Sequence, residues 1–115
     1  MEVLDPGKVA RARRRVDEGI EVADLTYLRD VLCEPARLRI VEALGAEELS
    51  VGDLATAIDR KLPATSQHLR VLRVLGLVEA RREARTVYYR IRPGTVSERV
   101  QTIVDSLRRG ADAAT

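Results

Sequence analysis

Between Arg60 and Arg92 the 115-residue sequence places nine basic residues (Arg60, Lys61, Arg70, Arg73, Arg81, Arg82, Arg85, Arg90 and Arg92) against two acids, Glu79 and Glu83, a local net charge of +7. Residues 16–59 carry three arginines against eleven acids, residues 1–15 sum to +3 and residues 93–115 balance, so the overall +2 is a cancellation. A basic block set in an acidic chain has the electrostatic footprint of a polyanion-binding face, a solvated charged face being the alternative. The residues interleaved with these charges suit nucleic acid. The Gln67 amide can pair with adenine N6 and N7, and Pro63 and Ala64 can touch a thymine methyl, while Lys61, Ser66, Arg70 and Arg73 can hold phosphates. A solvated helix face remains the alternative for Arg70 and Arg73.

The inventory excludes other chemistry. One histidine, one cysteine, no nucleophile–base pair and no glycine-rich phosphate loop leave nothing from which to assemble catalysis, and the chain reads as a non-enzyme. The lone Cys33 cannot close an internal disulfide, and its place at the end of a helical apolar stripe predicts a small buried thiol. His68 lacks soft partners for a metal and is expected at a helix edge near nucleic acid. No apolar run approaches the ~20 residues needed to span a bilayer and the N-terminal residues lack the apolar segment of a secretory signal, so the expected location is the cytoplasm.

The sequence is 45% hydrophobic yet has no Phe or Trp and three Tyr, so its core must be aliphatic. That predicts one compact, mainly helical domain over residues 1–115. Asp5-Pro6 opens a basic helix ending near Gly19, an N-terminal dimerisation helix or arm. A second helix covers 20–32, with Val22, Leu25, Leu28 and Leu32 at helical spacing, and Glu34-Pro35 ends it. Pro35 starts a third, with Leu38, Ile40, Val41 and Leu44 inward and Gly45 as a residue able to take positive φ. Ser50 and Asp53 have capping-box spacing for a short helix burying Leu54, Ala55 and Ile58. A further helix runs from Pro63 to Gly76 on a Leu69, Leu72, Leu75 stripe. After Gly76 the period falls toward 2, and Leu77–Arg82 and Thr86–Ile91 read as a hairpin with Arg82 and Arg85 flanking its tip. Thr95 and Glu98 open a last helix to Arg109, and 110–115 read as a flexible tail.

Two short helices joined by a tight turn and followed by a basic-tipped hairpin form the order of a winged helix-turn-helix, here with five to six helices and a two-stranded wing. The +7 block contains the two elements that such a fold presents to DNA, so pattern and charge converge. Double-stranded DNA is favoured because a recognition helix fits the B-form major groove and not that of RNA.

The segments Glu34-Pro35-Ala36-Arg37-Leu38-Arg39-Ile40-Val41, Leu49-Ser50-Val51-Gly52-Asp53-Leu54-Ala55, Pro63–Leu72, Gly76-Leu77-Val78 and Arg81–Ile91 together resemble the ArsR/SmtB family of bacterial winged-helix repressors over residues 31–91. The resemblance implies a homodimer paired through its first and last helices that represses from an operator of inverted half-sites until an effector releases it. Helix geometry, with Leu69 and Leu72 as the buried stripe, and the charge block give Lys61, Pro63, Ala64, Ser66, Gln67, His68, Arg70, Arg73, Arg82 and Arg85 as the DNA-facing residues. With pairing through the first and last helices, their apolar residues Val9, Val16, Val96, Val100, Ile103, Val104 and Leu107 are the expected dimer interface. An activator or regulator without a metal inducer, and a protein-docking winged helix that binds no DNA, are the alternatives.

Departures from the family pattern carry their own expectations. Arg60 and Thr65 stand where apolar residues are common, which leaves Leu62 to pack the turn between the two helices. Ala84 stands where the wing commonly has glycine, which predicts a longer or different turn. The family's metal-ligand motifs are absent: Ser50 and Gly52 occupy the Cys-x-Cys positions, and Glu98 and Asp105 on the last helix offer only a weak oxygen-rich divalent site, with ordinary ion pairing as the alternative.

Overall fold

A computed structural model describes residues 2–19, 22–45 and 47–114, without the side chains of 22–24, 95–96 and 111–114. Helix α1 spans Pro6–Asp17, capped by the Asp5 carboxylate, which accepts from the Lys8 N–H at 3.0 Å. Helices α2 (Val22–Leu32) and α3 (Pro35–Leu44) follow as the prolines predict; Ile20 lies outside the described residues. Gly45 stays in the right-handed region at φ −59°, so α3 ends without the left-handed residue expected there.

Helix α4 (Val51–Ala57) begins at Ser50, whose hydroxyl accepts from the Asp53 N–H at 3.2 Å. Leu49 and Ser50 do more than cap: as strand β1 they pair antiparallel with Tyr89 and Tyr88. Strands β2 (Val78–Glu83) and β3 (Thr86–Ile91) form the hairpin, so the sheet has three strands in the order β1-β3-β2. The hairpin does not show the clean alternation expected of it: along β2 burial falls steadily from Val78 at the base to the exposed tip, and Val87, Tyr88 and Tyr89 of β3 are all half-buried. A two-residue β1 is too short to leave a periodic trace.

Helix α5 (Leu62–Val74) and α6 (Thr95–Ala114) complete the chain. Helix α6 continues through Gly110 to Ala114 where a flexible tail was expected, with Thr115 outside the described residues. Three alanines among its last four residues favour the helix, and one internal glycine costs only about 1 kcal/mol.

The core is aliphatic, as the composition demands. Val31, Ile40, Val41, Leu44, Leu54, Leu69, Leu72, Leu77, Val78, Val100 and Val104 form one buried cluster drawn from α2 to α6 and the base of the hairpin. Val100 and Val104 are therefore core residues of the single chain, at 0% and 2% exposure, and not dimer-interface residues. They have no surface left to bury. Val9, Val16 and Leu107 remain exposed and Ile103 is half-buried, while the Val96 side chain lies outside the described residues. Cys33 is exposed and not buried, because α2 stops at Leu32 and the next residue turns out with the chain.

Candidate nucleic-acid interface

Two identical helix terminations aim the basic elements. After α4, the Arg60 N–H donates to the Ala55 carbonyl at 3.0 Å and the Asp59 N–H to Thr56 at 3.2 Å, with Asp59 left-handed at φ 54°. After α5, the Leu77 N–H donates to Leu72 at 2.9 Å and the Gly76 N–H to Arg73 at 3.0 Å, with Gly76 at φ 77°. Both are Schellman motifs. The first reverses the chain between α4 and α5 and the second turns it into β2. Asp is one of the few residues that enter the left-handed region with modest penalty, so the first turn closes without glycine.

Helix α5 is seated by a buried row, Thr65, Leu69 and Leu72, at i, i+4 and i+7. Thr65 is fully buried and its hydroxyl donates to the Lys61 carbonyl at 3.0 Å, which satisfies the polar group inside the core. Leu62 is half exposed, so Thr65 and not Leu62 fills the space under the start of the helix. The exposed side of α5 carries Pro63, Ala64, Ser66, Gln67, Arg70 and Arg73, preceded by the exposed Lys61. Pro63, Gln67 and Arg70 repeat at i, i+4 and i+7 and so lie in one row away from the core. His68 departs from this set: it is half-buried at the helix edge, with Nδ1 buried and unpartnered.

The wing closes in two residues. Glu83 pairs with Thr86, and the turn between them places Ala84 at φ 55°, the first central position, where a type II′ turn favours glycine. The longer turn expected from Ala84 does not form, because full register to the hairpin tip outweighs the ~1–2 kcal/mol cost of a left-handed alanine. Arg82 and Arg85 are exposed beside this turn.

Ion pairing divides the nine basic residues of the block. Arg81 bonds Glu48 and Glu83, the latter at 2.9 Å, and its guanidinium lies 4.9 Å from the Tyr88 ring centre. Arg90 bonds Glu79. The other seven, Arg60, Lys61, Arg70, Arg73, Arg82, Arg85 and Arg92, have no carboxylate partner among the described residues. Both acids of the block are thus consumed on the sheet, and the exposed charge of α5 and the wing tip is left unopposed. Arg60 and Arg92 belong to this exposed set although the recognition-helix pattern passes over them; only the charge count pointed to them.

Asp105 accepts from Gln101 Nε2 at 3.2 Å, and no group of three or more His, Cys, Asp or Glu side chains is placed to hold an ion among the described residues. No helix among them is long and apolar enough to cross a membrane.

Residues 34–80 match the family described as bacterial regulatory protein, arsR family. The chain is 41% identical over 68 residues to a biofilm growth-associated repressor of Agrobacterium fabrum, covering 59% of this chain and 58% of that protein. It is 37% identical over 87 residues to the transcriptional activator HlyU of Vibrio cholerae, covering 76% of this chain and 77% of the other. The homodimeric winged helix-turn-helix DNA-binding domain from Mycobacterium bovis superposes with a TM-score of 0.63 at 29% identity, over 97% of this chain and 91% of that one. The chain spans about half the length of several curated relatives that it matches, 48% to 58% of each. With the helix-turn-helix, the wing and these matches in agreement, the chain belongs to the ArsR family of bacterial regulatory proteins.

Proposed function

We propose that this chain is a sequence-specific double-stranded DNA-binding transcriptional regulator, acting as a homodimeric repressor that an effector releases from an inverted-repeat operator in the bacterial cytoplasm. The observation that carries this is the exposed row of α5: Pro63, Gln67 and Arg70 face away from the core, flanked by cations without carboxylate partners. Gln67 reads a base edge, Pro63 and Ala64 meet thymine methyls, and Lys61, Ser66, Arg70, Arg73, Arg82 and Arg85 take phosphates. His68 supports the helix from its half-buried edge. Two copies joined through the exposed Val9, Val16 and Leu107 would place two α5 helices on successive major grooves.

A mobility-shift titration on the DNA upstream of the gene, at two salt concentrations, tests the reading. Specific binding that weakens steeply with salt is expected. An intact dimer with no specific shift overturns it. The activator reading stays beside it because the Vibrio cholerae relative is named an activator. Transcript levels with and without the gene separate the two, rising on deletion for a repressor and falling for an activator.

A further inference from the structure

Helix α1 buries none of its residues, yet it is one of the most highly charged segments of the chain. It carries Lys8, Arg11, Arg13, Arg14 and Arg15 against Asp17. Helical spacing sorts these residues. Val9 and Val16, at i and i+7, mark one side; Lys8, Arg11 and Arg15, at i, i+3 and i+7, line the opposite side with Arg14 beside Arg11. All are exposed, and none of the five cations is in an ion pair among the described residues.

The helix's own stability does not account for this row. Like charges three and four residues apart, Lys8 with Arg11 and Arg11 with Arg14 and Arg15, repel each other on the helix surface. The helix dipole welcomes Arg14 and Arg15 in the last turn but opposes a cation at Lys8, where the capping Asp5 carboxylate offsets it and leaves the mutual repulsion within the row unrelieved. A polyanion neutralises the whole row at once. From Lys8 to Arg15 the row is about 10 Å long at ~1.5 Å per residue. With the arginine side chains reaching outward from it, a row of that length can meet about two or three neighbouring phosphates of one strand.

We propose that the basic side of α1, formed by Lys8, Arg11, Arg14 and Arg15, is a second and sequence-independent DNA-contact surface that takes backbone phosphates of the duplex flanking the segment read by α5 and the wing. This rests on the DNA-binding reading above and adds a contact that the winged helix does not supply. The apolar side of α1, with Val9 and Val16, stays available to a second copy while the basic side faces the DNA. Its contribution is purely electrostatic, so it sets affinity and salt dependence and leaves base preference to α5.

The test compares two duplexes centred on the footprint upstream of the gene, one of about 20 base pairs, holding two half-sites about one helical turn apart, and one of about 45. The wild-type chain is set against a variant with Lys8→Gln, Arg11→Gln, Arg14→Gln and Arg15→Gln, the dimeric state of each being checked by sedimentation. The wild type should show a steeper salt slope on the long duplex than on the short one. The glutamine variant should match wild type on the short duplex and lose about 2–4 units of slope per protomer on the long one, at ~0.9 per phosphate. A companion variant with Arg11→Lys, Arg14→Lys and Arg15→Lys should keep the slope, because it keeps the charge. Specific binding with no gain from the flanks, or a glutamine variant with unchanged slope, overturns the proposal alone. Binding to phosphatidylserine vesicles in place of the flanking duplex also overturns it, and loss of specific binding by the wild type on both duplexes overturns the underlying reading as well.

Discussion

Arg81 on β2 and Glu48, which immediately precedes β1, are joined across the sheet: the guanidinium donates to both carboxylate oxygens while it lies over the ring of Tyr88. The two residues are 33 positions apart in sequence, and their contact helps to lock the short β1 to the hairpin. The hydrogen bond from Arg81 holds the Glu48 carboxyl below the usual carboxylate range, with the charges of Arg81 and Arg90 adding to the effect.

A depressed carboxyl contributes stability above its unfolded value and loses it as the pH falls through the folded one. Glu48→Gln should therefore lower the melting temperature slightly near neutral pH, and the gap to wild type should close in acid. Both groups are solvent-accessible, so the difference will be small and reduced by salt. Thermal melts across the acid range check this; a gap that does not change with pH assigns the effect to packing.

Ala84→Gly should stabilise the chain by about 1 kcal/mol. The left-handed alanine costs ~1–2 kcal/mol, and the extra freedom that glycine brings to the unfolded chain returns part of the gain. Urea unfolding reads the difference directly. No gain would show that the wing tip relaxes to another turn in solution.

Gln67→Ala should relax preference at one operator position per half-site by ~1–3 kcal/mol, with little change in non-specific affinity. Competition against operators varied at single positions measures it. Equal weakening on every sequence would make Gln67 a positioning contact.

Arg82→Ala combined with Arg85→Ala should lower the salt slope by about 2 per protomer, at ~0.9 per phosphate, and leave base preference unchanged. An unchanged slope means that the wing does not reach the phosphate backbone.

Val100→Ala and Leu107→Glu should part company, because one residue is fully buried and the other is 61% exposed. Val100→Ala should cost roughly 2 kcal/mol of unfolding free energy through the cavity it leaves. Leu107→Glu should leave the fold intact and weaken self-association, which sedimentation across a concentration series will show.

The local sequence already determined much of this protein. Pro6, Pro35 and Pro63 mark helix starts, Ser50 caps α4, and the change of period after Gly76 marks the hairpin, since each depends on neighbours within one or two turns. The charge reversal at Arg60 located the candidate interface for the same reason: it is a property of consecutive residues. Tertiary structure alone decided the rest. The apolar stripe of α6 looks uniform in sequence, but only packing distinguishes Val100 and Val104 inside the core from Leu107 outside it. Strand β1 exists because Leu49 and Ser50 find partners in Tyr89 and Tyr88, some forty residues away. Which arginines stay unopposed was settled the same way: Glu48 reaches Arg81 only after the sheet has formed, and no reading along the chain can count a pair that does not yet exist.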